Sequence, residues 1–161
     1  MPINIQAFKG SFNDLHRANK FEVLIPGVTG SEFHCKAAQI PSETMGVINV
    51  PFNGRQTKIA GDRTYEPWTV TFMLTDDLQA RADLYDWLRS INDAESNVSG
   101  PPSSYRRDIT VTALNQSGAP AGKVWNLVDG WPSNVSAIEL SFDSQDTISE
   151  LPVTFEFDHM T

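Results

Sequence analysis

The sequence predicts a mainly β protein, a sandwich or barrel of about nine short strands with one helix. Three observations carry that reading. Apolar and polar residues alternate in several short runs, which is the period-2 pattern of a strand with one buried face. Gly, Pro, Asn and Ser cluster between those runs as turn signals. Only Ala80, Leu84, Trp87, Leu88 and Ile91 recur at helical spacing, forming a single apolar stripe.

In chain order, residues 1–19 show no clean periodicity and read as an N-terminal arm that orders only against a partner. Residues 20–161 form one β-domain. Phe21, Val23 and Ile25 share a strand face, and Pro26-Gly27 ends the run. Ser31 to Ala37 reads as a second strand with Phe33, Cys35 and Ala37 on one face. Val47 to Phe52 and Arg55 to Ala60 flank Asn53-Gly54, a strong hairpin signal because both central residues of a type I′ turn need positive φ. Gly61-Asp62-Arg63 reads as a charged glycine turn leading into the strand of Trp68, Val70, Phe72 and Leu74. The helix follows, with Asp76 placed to cap it and Gln79 at the reciprocal capping-box position. Asn92 to Arg106 is a long polar loop. Strands resume at Asp108 to Leu114 and Lys123 to Val128. Ser136 to Phe142 comes next, with Ile138, Leu140 and Phe142 on one face, then Leu151 to Phe157. Pro152 cannot donate a ladder hydrogen bond, so that end is expected at a sheet edge or strand start.

Composition narrows the function. The chain has 161 residues, enough for one domain with a substantial core. Its net charge of −8 and the absence of a dense basic cluster argue against a protein that grips nucleic acid. Cys35 is the single cysteine, which precludes an intramolecular disulfide and speaks against a cysteine metal site. No apolar run approaches the length that crosses a bilayer, and Met1 to Gly10 lacks the features of a signal peptide. These traits predict folding in a cytoplasm and no membrane partner.

Chemistry is hard to find. His16, His34 and His159 lie in unrelated contexts, and neighbours along a strand, such as His34 and Cys35, point to opposite faces. Phosphate-cradling glycine motifs are absent. Asp143-Ser144-Gln145-Asp146 reads as a solvated turn more simply than as a calcium loop. Glu139, Glu156 and Asp158 fall on polar strand faces by alternation alone, so they do not argue for glycoside hydrolysis. Trp68, Trp125 and Trp131 suit a core, with sugar stacking on a monomeric carbohydrate-binding sandwich as the competing role. The expectation is a protein that is not an enzyme, with no cofactor, metal or catalytic residue.

The ordered set of motifs resembles the tail tube proteins of contractile-tailed, T4-like bacteriophages. The densest match is Gly61-Asp62-Arg63-Thr64-Tyr65 followed by Trp68-Thr69-Val70-Thr71. Cys35-Lys36-Ala37 with Pro41, Val50-Pro51-Phe52, Asn53-Gly54-Arg55, Arg81 with Trp87, and Gly130-Trp131-Pro132-Ser133-Asn134-Val135 support it in order over residues 20–161. The resemblance implies a β-barrel-like sandwich with one flanking helix. It implies a hexameric ring whose subunits share an inner β-barrel, stacked into a tube in the virion tail. The implied partners are copies of the chain, tail sheath, tape-measure, baseplate and tail-terminator proteins, with DNA passing through the lumen unbound. Tubes of type VI secretion and bacteriocin-like devices share that fold and remain an alternative. The expected assembly contacts are Asp62 and Arg63, the hairpin tip Asn53-Gly54, and Trp131-Pro132. Trp131-Pro132 also reads as a structural corner.

Overall fold

The computed structural model describes residues 5–11 and 16–161. The elements are α1 (Ile5–Ser11), β1 (Phe21–Leu24), α2 (Ser31–His34), β2 (Cys35–Ala38), β3 (Glu43–Phe52), β4 (Arg55–Tyr65), β5 (Trp68–Met73), α3 (Gln79–Ile91), α4 (Pro102–Tyr105), β6 (Arg107–Leu114), β7 (Pro120–Val135), β8 (Glu150–Glu156) and β9 (His159–Met160). A seven-stranded antiparallel sheet runs β1-β6-β7-β8-β5-β2, with β9 on β7, and a separate two-stranded ribbon pairs β3 with β4. The fold is mainly β, as the alternation predicts.

The long strand β7 makes the sheet curve back on itself. Its first part pairs with β6 and its end, Trp131 to Val135, pairs with β8. Asp129 (φ 57) takes a left-handed conformation where the pairing changes hands, and local twist increases at such irregularities. The end strands β1 and β2 come into contact. Among the described residues no ladder joins them, so the barrel has an open seam.

The core fills this curved sheet. Val23, Trp68, Val70, Phe72, Ile109, Leu127, Leu151, Val153 and Phe155 are all but inaccessible. Helix α3 caps the sheet with Ala80, Leu84 and Trp87 buried, the stripe read from the sequence. Phe155 links the sheet to the helix, with its ring 5.6 Å from Trp68 and 5.9 Å from Trp87. Both buried indoles find acceptors, as buried Trp N–H groups must. Trp68 donates to the Gln39 carbonyl and Trp87 to the Tyr105 carbonyl, each at 2.6 Å. Arg107 lies over the Trp87 ring at 4.2 Å while donating to the Pro26 carbonyl at 2.8 Å.

The structure corrects several expectations. Ile5–Ser11 is helical where no regular element was expected; the rest of the arm, residues 1–4 and 12–15, lies outside the described residues. Ser31 to Ala37 divides into α2 and β2, with Gly30 (φ 74) turning the chain ahead of the helix. Among the described residues three short helices, α1, α2 and α4, thus join the one expected. Gly61-Asp62-Arg63 is not a turn but the continuation of β4, and Glu66-Pro67 joins β4 to β5. A register shift between Met45 and Val47 accommodates the glycines, whose backbones approach closely: a Cβ on Gly46 would sit 3.2 Å from the Asp62 carbonyl oxygen, so a side chain there would fit only if the neighbouring strand gave way by a few tenths of an ångström.

The expected capping box does not form. Leu78 (φ 51) occupies the N-cap, and Asp77 rather than Asp76 accepts from the Gln79 backbone N–H at 3.4 Å. Finally, Ser136 to Phe142 is not a strand; the ninth strand is instead the short β9. Pro152 explains the loss. Its carbonyl accepts from the Ser136 N–H at 3.0 Å, continuing the β7–β8 ladder by one step. Proline has no N–H to return to Ser136, and the ladder ends there.

Candidate assembly surface

The β3–β4 ribbon is the most unusual surface of the molecule. Nearly every residue in it is exposed, although its sequence is half apolar. The register pairs Ile48 with Ile59, Val50 with Thr57 and Phe52 with Arg55, so Ile48, Val50, Phe52 and Ile59 share one face. Their exposures run from 41% for Val50 to 72% for Phe52. A lone two-stranded hairpin is marginal in water, and a contiguous exposed apolar face of this kind marks an interaction surface.

Two of the three expected contact pairs lie in this ribbon. Asn53 (φ 44) and Gly54 (φ 78) form its tip with the positive φ values that a type I′ turn demands. A Cβ on Gly54 would meet nothing within 4 Å, so the tip stands clear of its own chain. Arg63 reaches across the ribbon to Glu43 at 3.1 Å and is not paired with its neighbour Asp62. Hydrogen bonding to Tyr65, and then the Glu43 charge, favour the charged form of Arg63. Both members of the Arg63–Glu43 pair are about half exposed, which leaves the guanidinium accessible to another chain.

Trp131 and Pro132 lie elsewhere, inside the seven-stranded sheet. They pair with Glu156 and Phe155 of β8, and Pro132 is buried. The Trp131 ring meets Tyr105 edge-on at 6.3 Å. A register shift follows Pro132, so the pair sits at a bend of the sheet. The structure thus gathers Asn53, Gly54, Asp62 and Arg63 on one ribbon and places Trp131 and Pro132 apart from it.

Alternation in the sequence could not reveal the exposure of Leu140 (85%) and Phe142 (105%), which depends on the lost ladder at Pro152. Among the described residues no group of three or more His, Cys, Asp or Glu is placed to hold a metal ion. Burial pushes the Cys35 thiol up to about 11, with contact to the Ala37 backbone acting in the opposite direction, so it is a thiol and not a nucleophilic thiolate at neutral pH. Trp68 and Trp87 are core residues, leaving no exposed tryptophan platform built on them.

A curved antiparallel sheet carrying a separate ribbon with an exposed apolar face has the surface of an interacting structural protein, not of a catalyst's cleft. The family model described as "Phage tail tube protein" matches residues 17–161, and the chain belongs to that family. It is 32% identical over 149 residues to the tail tube protein gp19 of Enterobacteria phage T4, covering 91% of each chain. Its fold is similar to the sheath/tube terminator of an extracellular contractile injection system, PVC, in the extended state, with a TM-score of 0.70 at 17% identity over 92% of this chain and 96% of the other. The tube-terminating cap of the anti-feeding prophage gives a TM-score of 0.68 at 18% identity, covering 100% and 97%. The protein is a structural subunit of a phage tail tube and a component of the virion tail.

Proposed function

We propose that six copies of this chain close into a ring and that rings stack into the inner tube of a contractile tail. In this reading part of each subunit's sheet joins a shared inner β-barrel. Residues 20–161 form the tube domain and residues 1–19 an arm that contacts partners. Sheath, baseplate and terminator proteins engage the tube from outside and at its ends, a tape-measure protein fills it during assembly, and DNA passes through it. No residue acts as a catalyst.

The observation that carries the proposal is the exposed ribbon: Ile48, Val50, Phe52 and Ile59 face solvent in the isolated chain, on strands whose edges are open. Open edges pair readily with other chains, and closure around a ring satisfies them without leaving an end free. Asp62, Arg63, Asn53 and Gly54 contact the neighbouring copy from this ribbon, whereas Trp131 and Pro132 act chiefly by bending the sheet that presents it.

Electron microscopy of the purified protein at high concentration tests the assembly. Rings or tubes are expected from the wild-type chain. Arg63→Glu is expected to abolish tubes while leaving the monomer folded by circular dichroism, because the Arg63–Glu43 pair it breaks is exposed and contributes little to stability. Tubes of ordinary appearance from Arg63→Glu would refute its role, and a wild-type protein that remains monomeric under all assembly conditions would refute the ring.

A further inference from the structure

The segment from Ser136 to Ser149 and the open seam between β1 and β2 are two apolar features that the ribbon does not explain. They lie at opposite ends of the sheet. The segment leaves the end of β7 and returns beside the C-terminal end of β5, where Leu74 N–H donates to the Ser149 carbonyl at 3.0 Å. It carries Leu140 and Phe142 into solvent as a knob. The seam opens beside the N-terminal end of β5, where Trp68 donates to Gln39. A groove of about 220 Å³ runs there, lined chiefly by Phe21, Ala38, Ile40, Val111 and Trp125. An apolar cavity of about 150 Å³ holds a benzene molecule, so the groove is large enough for a phenyl ring.

Charge separates the two features in the same sense. Between residues 136 and 149 the chain carries Glu139, Asp143 and Asp146 and no Lys or Arg. Arg17 and Lys20 line an adjoining pocket that shares His16 with the groove, and Lys123 lies 5.8 Å from the Trp125 ring that lines it. An acidic apolar knob and a basic-rimmed apolar groove on one chain are complementary to each other. The six residues of β5 separate them by about 20 Å at roughly 3.3 Å per residue, so one chain does not fill its own groove.

We infer that Phe142, flanked by Leu140 and the acids of its loop, docks in the β1/β2 seam groove of a second copy of this chain. The contact joins unlike surfaces, and such head-to-tail contacts propagate from copy to copy into rings or filaments. It rests on the reading of the protein as a tube subunit and adds a specific joint to it, distinct from the β3–β4 ribbon.

The test uses the full chain under conditions in which wild type forms tubes. Phe142→Glu alters the knob and Ile40→Glu alters the groove rim; both positions are exposed, so both variants are expected to keep the wild-type unfolding temperature. Each should raise the concentration needed for assembly at least tenfold. In tubes built from a Phe142→Cys, Ile40→Cys double variant, oxidation should give a ladder of covalently linked chains on a denaturing gel, and neither single variant should do so. Normal tubes from Phe142→Glu and Ile40→Glu, or no ladder from the double variant, would overturn the joint and leave the tube reading intact. A block at Phe142 with normal assembly at Ile40 would send the knob elsewhere and overturn the groove assignment. A wild-type chain that never assembles would sink both readings.

Discussion

Asp83 shows how single side chains tie the helix to the sheet layer. It accepts from the Thr29 backbone N–H at 2.8 Å and from the Gln79 side-chain amide at 2.8 Å, so it fastens α3 to the loop after β1. Burial pushes its carboxyl up, but hydrogen bonds from the Thr29 hydroxyl, the Thr29 N–H and Gln79 outweigh that and hold it below the ordinary carboxylate value. A carboxylate depressed in the folded state stabilises the fold above its unfolded value of about 3.9 and loses that contribution as pH falls through the folded value. Asp83→Asn should therefore be less stable than wild type at pH 7, and the gap should close in acid below pH 4. The side chain is only part-buried and still reached by solvent, so screening keeps the difference below about 1 kcal/mol. Urea unfolding of both proteins across pH 2.5–7 measures it, and a gap that stays constant with pH would show that the charge of Asp83 is not its source.

At the level of elements, the β7–β8 connection turns on one missing donor. Pro152→Val restores an N–H facing Ser136 and removes the obstacle to further pairing. The expected outcome is an extended ladder, with amides in residues 136–142 gaining protection from hydrogen exchange. Each added backbone bond contributes about 0.5–1.5 kcal/mol. An unchanged exchange pattern would show that something other than Pro152 holds the segment off. The same place marks the limit of the sequence reading. Ile138, Leu140 and Phe142 carry a sound strand alternation, but a strand needs a partner, and the partner's missing hydrogen lies outside the segment. Where periodicity and a local partner agreed, as in the Asn53-Gly54 hairpin, β5, β8 and the stripe of α3, the elements were legible. Gly61-Asp62-Arg63 misled because glycine beside charge is ordinarily a turn, whereas here Gly61 lets β4 pass close to Gly46. Asn53-Gly54 was legible as a hairpin tip and Asp62-Arg63 as a charged run, but the exposure of the ribbon's apolar face was not. Nor were the knob and groove, because both arise from which strands fail to meet.

The whole molecule sets a long-range term that no single contact reveals. Each chain carries a net charge of −8, so approaching copies repel until their complementary surfaces are close. At 0.01 M salt the screening length is about 30 Å, comparable with the chain itself, and falls to about 8 Å at 0.15 M. Raising salt over that range removes repulsion between whole subunits, while the ribbon's apolar face is unaffected in kind and the short-range pairs at the knob and groove lose less. Assembly should therefore nucleate faster at 0.15 M than at 0.01 M, as followed by light scattering at fixed protein concentration. The acidity has a second expected consequence at this scale: if copies close into the proposed ring with acidic residues facing its lumen, DNA, itself a dense line of negative charge, should slide past instead of adhering. Assembly that slows steadily with salt would show that attraction between charged patches, and not repulsion between subunits, controls the encounter. Retention of duplex DNA by assembled tubes at 0.15 M salt would rule out a repelling lumen.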